Sequence, residues 1–214
     1  MSPPEDTAGG PAGVAAVVVR RASASRRTKE TLVEVSVDLD GSGSVEVATG
    51  LPFFDHMLSQ LGRHAGVDLV VKAEGDIEVD AHHTVEDVGI VVGSCFADAI
   101  GDKAGIRRFA SIDLPLDEAL VSVAVDISGR PFLAYDLEFA PDTPPLGAPG
   151  FDPQLAEEFW RAFTTAAALT MHVRRLAGRN THHVLEASFK AAARALRDAL
   201  ARSGGEVPST KGIL

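Results

Sequence analysis

DAHHTVED at residues 80–87 and NTHHVLEA at residues 180–187 decide how this chain is organised. Each sets a histidine pair ahead of a glutamate: His82, His83 and Glu86 in the first, His182, His183 and Glu186 in the second. Each also opens a run with helical periodicity. Val85, Val88, Val92 and Phe96 form one apolar stripe, and Leu185, Phe189, Ala193 and Leu196 form the other. Helices are therefore predicted from His82 to about 102 and from His182 to about 202.

Outward from these copies the order of elements repeats. Val33, Val35, Val37 and Leu39 alternate with Glu34, Ser36 and Asp38, the mark of a half-buried strand over 31–39. ALVSVAVDI at 119–127 alternates in the same way, and 132–139 is expected to pair with it. Gly41-Ser42-Gly43 signals a turn, with SVEVAT beyond it as the hairpin partner. Phe54, Leu58 and Leu61 predict a helix over 51–64, and 153–168 is an amphipathic counterpart. Further strands are predicted at 67–73, 76–80 and 169–176, while 20–29 reads as a basic segment.

The chain thus divides into a first α/β half over 14–105 and a second over 106–203, with the divide near 103–115. Residues 1–13, rich in proline, glycine and alanine, are expected to be disordered, and 204–214 form a tail. The expected fold class is α+β, internally duplicated, with two sheet-plus-two-helix halves packed helix to helix.

Composition narrows the function. The 214 residues are 45% hydrophobic and 23% charged, a globular balance. Twenty basic against thirty acidic residues leave a net charge of −10, so general nucleic-acid binding is not expected and any phosphate must be gripped locally. No apolar run approaches the roughly 20 residues of a membrane span, and no secretory signal is visible, so a soluble cytoplasmic protein is expected. Cys95, the single cysteine, can build neither an internal disulfide nor a thiolate cage.

The histidine pairs carry the chemistry. On a helix the first histidine and the glutamate of HHxxE stack on one face about 6 Å apart, as two ligands of one ion do. The second histidine is turned about 100° away and suits a different ion. A helix-capping reading, with Asp80 or Asn180 as the cap and the glutamate at the positive end, fits one copy alone. Two copies at equivalent places favour metal. The repeat points to further ligands on the preceding helices: His56, 26 residues before His82, and Glu158, 24 residues before His182. One ion is then expected on His182, Glu186, His56 and His83, and the other on His82, Glu86, His183 and Glu158. Imidazole and carboxylate without thiolate suits Mn(II), Fe(II) or catalytic Zn(II). Ligands from different helices also admit sites shared between subunits.

PFFDHMLSQLGRH, DAHHTVEDVGI, AGRNTHHVLEASFKA and the terminal PSTKG resemble the imidazoleglycerol-phosphate dehydratase family of histidine biosynthesis, from about Arg20 to the C-terminus. The resemblance implies a duplicated fold of the ribosomal protein S5 domain 2-like kind and two Mn(II) ions per active site. It also implies trimers assembled into a homo-oligomeric 24-mer, with sites between subunits. The reaction implied removes water from imidazole glycerol phosphate to give imidazole acetol phosphate. Lewis-acid ions would hold the ring as its anion while hydroxide leaves.

By the same resemblance Glu30 is the general base, although by itself it reads as a solvated charge, and His64 and Glu186 join the catalytic group. Arg108, Arg130, Ser209 and Lys211 are implied for the phosphate, with Arg107 an equal candidate to Arg108 on sequence alone. Gln60, His64 and Lys190, beside His56, His82, His83, Glu86 and His182, complete the expected substrate surround. His172 reads as a packed structural residue. The family often carries histidine where this chain has Glu158, so Glu158, Glu157 or a water would complete that ligand set. With no DxDxT phosphatase module visible, the chain is expected to be monofunctional. A dinuclear metallohydrolase of a small phosphorylated or amide substrate, and a non-catalytic assembly protein whose metals join subunits, are the competing readings.

Overall fold

The computed structural model describes residues 19–205, 207–210 and 212. The expected disorder of 1–13 and the expected phosphate ligand Lys211 lie outside them. The elements run β1 (Arg21–Arg27), β2 (Thr31–Asp38), β3 (Val45–Ala48), α1 (Pro52–Ala65), β4 (Asp68–Gly75) and α2 (His82–Ile100). Then follow β5 (Phe109–Leu116), β6 (Ala119–Asp126), β7 (Phe132–Asp136), α3 (Leu155–Ala166), β8 (Thr170–Ala177) and α4 (Thr181–Leu200). The two four-stranded sheets have the same plan, β1-β2-β4-β3 and β5-β6-β8-β7. The fold is α+β and internally duplicated.

Register follows the alternation in the sequence. Val35 stands opposite Ala24 on one side and Val71 on the other, and Val123 likewise stands between Ile112 and Val173. The buried faces of both sheets meet the helices, so each period-2 apolar row becomes one wall of the core. Helices pair across the halves, α2 with α3 and α1 with α4. Gly89 and Gly93 make the first pairing possible. A Cβ on Gly89 would lie 2.7 Å from the Phe159 carbonyl oxygen, and one on Gly93 2.6 Å from that of Phe163. Trp160, Phe54, Phe96, Phe159, Phe163 and Phe189 fill the interior with less than 2% exposure. No helix among the described residues is long and apolar enough to cross a membrane.

Several local expectations are corrected. SVEVAT is not the hairpin partner of β2: β3 pairs in parallel with β4, after the α1 crossover. Only 132–136 of the expected 132–139 strand forms, and it pairs with β8 rather than with β6. Both outcomes are decided by the partner's buried row, which a hairpin rule does not see. Residues 76–80 turn instead of extending, with the Val79 amide donating to the Asp76 carbonyl at 2.8 Å and Val79 exposed. The basic segment over 20–29 contains an edge strand, whose inward residues Ala22 and Ala24 are too small to give a strong alternation. The expected divide hides β5, whose inward residues are Ala110, Ile112, Leu114 and Leu116.

Candidate metal and substrate site

The first turns of α1 and α4 bring three donors together. His182 Nε2 lies 2.9 Å from Glu186 Oε2, and His56 Nε2 lies 3.4 Å from the same oxygen. The ligand atoms of His56, His182 and Glu186 all fall within 4.8 Å of one another, the single such group found among the described residues. Two imidazoles and a carboxylate converging on one point is a donor set that Mn(II), Fe(II) or Zn(II) would fit. Lys190 holds the other oxygen of Glu186 at 2.7 Å. Burial pushes the Glu186 carboxyl up, but the Lys190 hydrogen bond and charge, with His182 and His56, outweigh it and hold it at about 2.

From His56 a row continues along α1. Gln60 Nε2 is 3.3 Å from His56 Nδ1, and Gln60 Oε1 is 3.1 Å from His64 Nε2. Burial, followed by the charges of Lys190 and Arg194, lowers the pKa of His64. The i, i+4, i+8 spacing places all three on one face of α1 toward α4.

The N-cap side chain of Asn180 accepts from the backbone amides of His182 and His183, and Asp80 Oδ1 accepts from the amide of His82 at 2.8 Å. Capping therefore accounts for the amides and leaves the imidazoles to other work. Each second histidine is held by a carboxylate at Nδ1. His183 Nδ1–H donates to Glu118 Oε2 at 2.7 Å, and His83 Nδ1 lies 3.3 Å from both oxygens of Asp76. These hydrogen bonds are the chief cause raising both histidine pKa values, and the His183 bond is the chief cause lowering Glu118 to about 2. In perpendicular pairs, His82 and His83 rings stand at 89° and His182 and His183 rings at 86°. Their two directions are those the helix rotation requires.

The structure does not complete either expected ligand set within one chain. His83 stands with Asp76 and not with the His56–His182–Glu186 group. His82, Glu86, His183 and Glu158 form no group of three donors among the described residues; Glu158 instead lies 4.0 Å from Arg161, which also binds Glu157. The carboxylates of exposed Glu86 and half-buried Glu158 repel without a cation between them, whereas an imidazole can approach Glu186.

Glu30 sits in the β1–β2 turn, 3.7 Å from His83 Nδ1. That turn is anchored by a carboxylate the sequence reading missed. Buried Asp87, on α2, accepts from Arg26 Nε at 2.8 Å and from the Thr31 hydroxyl, and the Thr28 hydroxyl accepts from the Thr31 and Glu30 amides.

At the other end of the second sheet Arg108 Nε donates to Asp126 Oδ1 at 2.7 Å, and Arg108 Nη1 donates to the Pro208 carbonyl at 2.8 Å. Arg130 lies 3.7 Å from the same Asp126 carboxylate. Arg108, Arg130 and the segment carrying Ser209 are thereby gathered. Arg107 is exposed and has no such tie among the described residues, which separates two arginines the sequence left equal. Asp126, Glu118 and Asp76 were not foreseen. A signal existed for Glu118: it occupies the turn of the second hairpin, as Glu30 does that of the first. His172 is exposed on a sheet face beside the Phe132 ring, a correction to its reading as a packed residue, because the outward side of β8 has no covering layer among the described residues.

Fold and site together define a class: a duplicated α+β protein with a histidine pair and a glutamate at the start of the second helix of each half. Residues 49–196 match the sequence model of the imidazoleglycerol-phosphate dehydratase family. The imidazoleglycerol-phosphate dehydratase of Acidiphilium cryptum is 54% identical over 198 residues, covering 91% of this chain and 99% of that one. Solved structures of the Staphylococcus aureus and Pyrococcus furiosus enzymes superpose with TM-scores of 0.75 and 0.76, at 37% and 34% identity. They cover 86% and 89% of this chain and 99% and 100% of theirs. The chain belongs to the imidazoleglycerol-phosphate dehydratase family.

Proposed function

We propose that this chain is a lyase of histidine biosynthesis that removes water from imidazole glycerol phosphate to give imidazole acetol phosphate. The observation that carries this reading is the meeting of His56, His182 and Glu186 at one point, with the His182–His183–Glu186 motif repeated in sequence by His82, His83 and Glu86. Two Mn(II) ions, one on His56, His182, Glu186 and a His83 and the other on His82, Glu86, His183 and Glu158, would supply Lewis acidity to the substrate's ring nitrogen and diol oxygen.

The other steps belong to the chain's own side chains. Glu30, on a turn pinned by Asp87, takes the hydrogen next to the imidazole ring. Gln60 and His64 extend from His56 along one face and offer hydrogen bonds to the substrate, and Lys190 keeps the Glu186 carboxylate ionised. Arg108, Arg130, Ser209 and Lys211 grip the phosphate. An acidic protein requires such a local anion site.

One small substrate cannot span both groups within a single chain. The Arg108 amide bonds the Ala199 carbonyl near the end of α4, and His183 opens that helix. At ~1.5 Å per residue these ends are about 24 Å apart. Phosphate and metal ligands would therefore come from different copies, which supports a homo-oligomer with shared sites; trimers assembled to a 24-mer are the form the family resemblance implies. We place the enzyme in the cytoplasm, where Cys95, buried and with its pKa raised to about 11 by that burial, stays a reduced thiol.

Purified protein loaded with Mn(II) and given imidazole glycerol phosphate should yield a product lighter by one water, scored by mass spectrometry. It should also be inhibited tightly by triazoles that mimic the ring. Release of inorganic phosphate without dehydration would instead make it the metallohydrolase.

A further inference from the structure

We propose that Glu118, in the β5–β6 turn, is a positioning residue for His183: it fixes the ring with Nδ1 protonated, so that Nε2 is the nitrogen offered to a divalent cation. In the first half Asp76 does the same for His83. This inference rests on His83 and His183 being metal ligands.

The two oxygens of Glu118 are divided between two tasks. Oε1 accepts from the Arg179 amide at 3.3 Å and the Asn180 amide at 2.8 Å, tying the hairpin to the start of α4. Oε2 accepts from His183 Nδ1 at 2.7 Å. An ionised carboxylate can only accept, so a proton must sit on Nδ1, and the neutral ring then carries its lone pair on Nε2. A ligating histidine whose other nitrogen donates to a carboxylate is fixed in tautomer and ring orientation and made more basic. Exposed Asp117 lies 3.7 Å from Nε2.

The two halves reach this end differently. The turn equivalent to that of Glu118 carries Glu30, yet Asp76 lies nearer to His83 Nδ1, at 3.3 Å against 3.7 Å. Asp76 thus relieves Glu30 of holding the histidine and leaves its carboxylate for substrate. In the second half the turn glutamate holds the histidine itself, and the other carboxylate of that turn, exposed Asp117, lies on the Nε2 side of the ring.

Glu118→Gln separates holding the ring from tethering the hairpin. The amide oxygen still accepts from the two backbone amides, so the metal-free melting temperature should stay at the wild-type value. Its NH2 group then faces His183 Nδ1, drives the proton to Nε2 and blocks ligation. Titrating the full metal-free oligomer with Mn(II), and following the free ion by its electron paramagnetic resonance signal, should show one ion per chain bound about 10–100-fold more weakly. Wild-type affinity for both ions in Glu118→Gln would overturn the proposal.

Should that variant fail to assemble, Asp76→Leu decides, since the Asp76 carboxylate hydrogen-bonds His83 and no backbone amide among the described residues, and leucine leaves Nδ1 without that acceptor. Weakening of one ion supports the proposal, and wild-type binding overturns it. His183→Gln distinguishes the underlying reading: if it too binds both ions normally, His183 is not a ligand and the metal assignment fails with it. If it loses one ion while Glu118→Gln does not, only the positioning role is lost.

Discussion

The helix pairs α1–α4 and α2–α3 have the same geometry and different chemistry. Both run side by side in the same direction: His56 meets Glu186 near the starts of α1 and α4, and Gly89 and Gly93 meet Phe159 and Phe163 in order along α2 and α3. In the first pair an imidazole leans on the glutamate of the motif and three donors converge. In the second pair Glu158 takes that place, Arg161 draws on both Glu157 and Glu158, and the donors stay apart. Duplication thus fixes where backbones go, while one side chain decides whether three donors converge within one chain.

The largest effect expected is on turnover, through the difference between the two hairpin turns. Glu30→Gln should lower kcat by about 10²–10⁴-fold, the usual worth of a general base, with Mn(II) content and sedimentation unchanged. Comparable kcat would place the base elsewhere. Next, Gly93→Ala attacks the close approach that α2–α3 depends on. The added methyl would sit 2.6 Å from a backbone oxygen, and overpacking of this kind costs about 1–3 kcal/mol, read from chemical denaturation.

Glu158→His sharpens the comparison by making the second pair resemble the first. With Glu86 given a neutral neighbour, the metal-free protein should melt about 2–4 °C higher, and the added rise on Mn(II) binding should shrink. An unchanged metal-free melting temperature would show that the charge of Glu158 is not what keeps those donors apart.

The smallest effect concerns the joint between the halves. Arg20 donates to the Leu200 carbonyl and to Asp40, and Arg202 binds Asp40 as well. The Arg20 hydrogen bond, opposed by burial and helped by Arg202, holds the Asp40 carboxyl at about 2 against its ordinary 3.8. A depressed carboxyl stabilises the fold fully above its unfolded value and loses that contribution as pH falls through its folded value. Asp40→Asn should therefore cost stability at neutral pH, and the gap from wild type should close between pH 3.8 and about 2. Because Asp40 is 39% exposed, screening keeps the cost to about 1 kcal/mol or less. A gap that persists at pH 2 would exclude the ion pair as its cause.

Much of this was legible in one dimension. The alternation of Val33, Val35 and Val37, and of Val121, Val123 and Val125, gave the central strands, and apolar stripes gave all four helices. The paired HHxxE motifs gave the kinds of donor and the perpendicular directions of the paired rings, since helix rotation is a local property. Edge strand β1 escaped notice because Ala22 and Ala24 carry little hydrophobic signal. The carboxylates behind the second histidines escaped it because Asp76 and Glu118 lie 7 and 65 residues from the rings they hold.

By itself, then, the sequence determined the duplication, the local elements and the kinds of donor, all properties of short-range periodicity and residue chemistry. Only the tertiary structure decided that β3 and β7 pair in parallel with β4 and β8. Only it decided that His56 reaches Glu186, and that Asp126 gathers the two arginines. Those outcomes depend on which distant surfaces bury one another and which charges are then left face to face, and no local spacing encodes either.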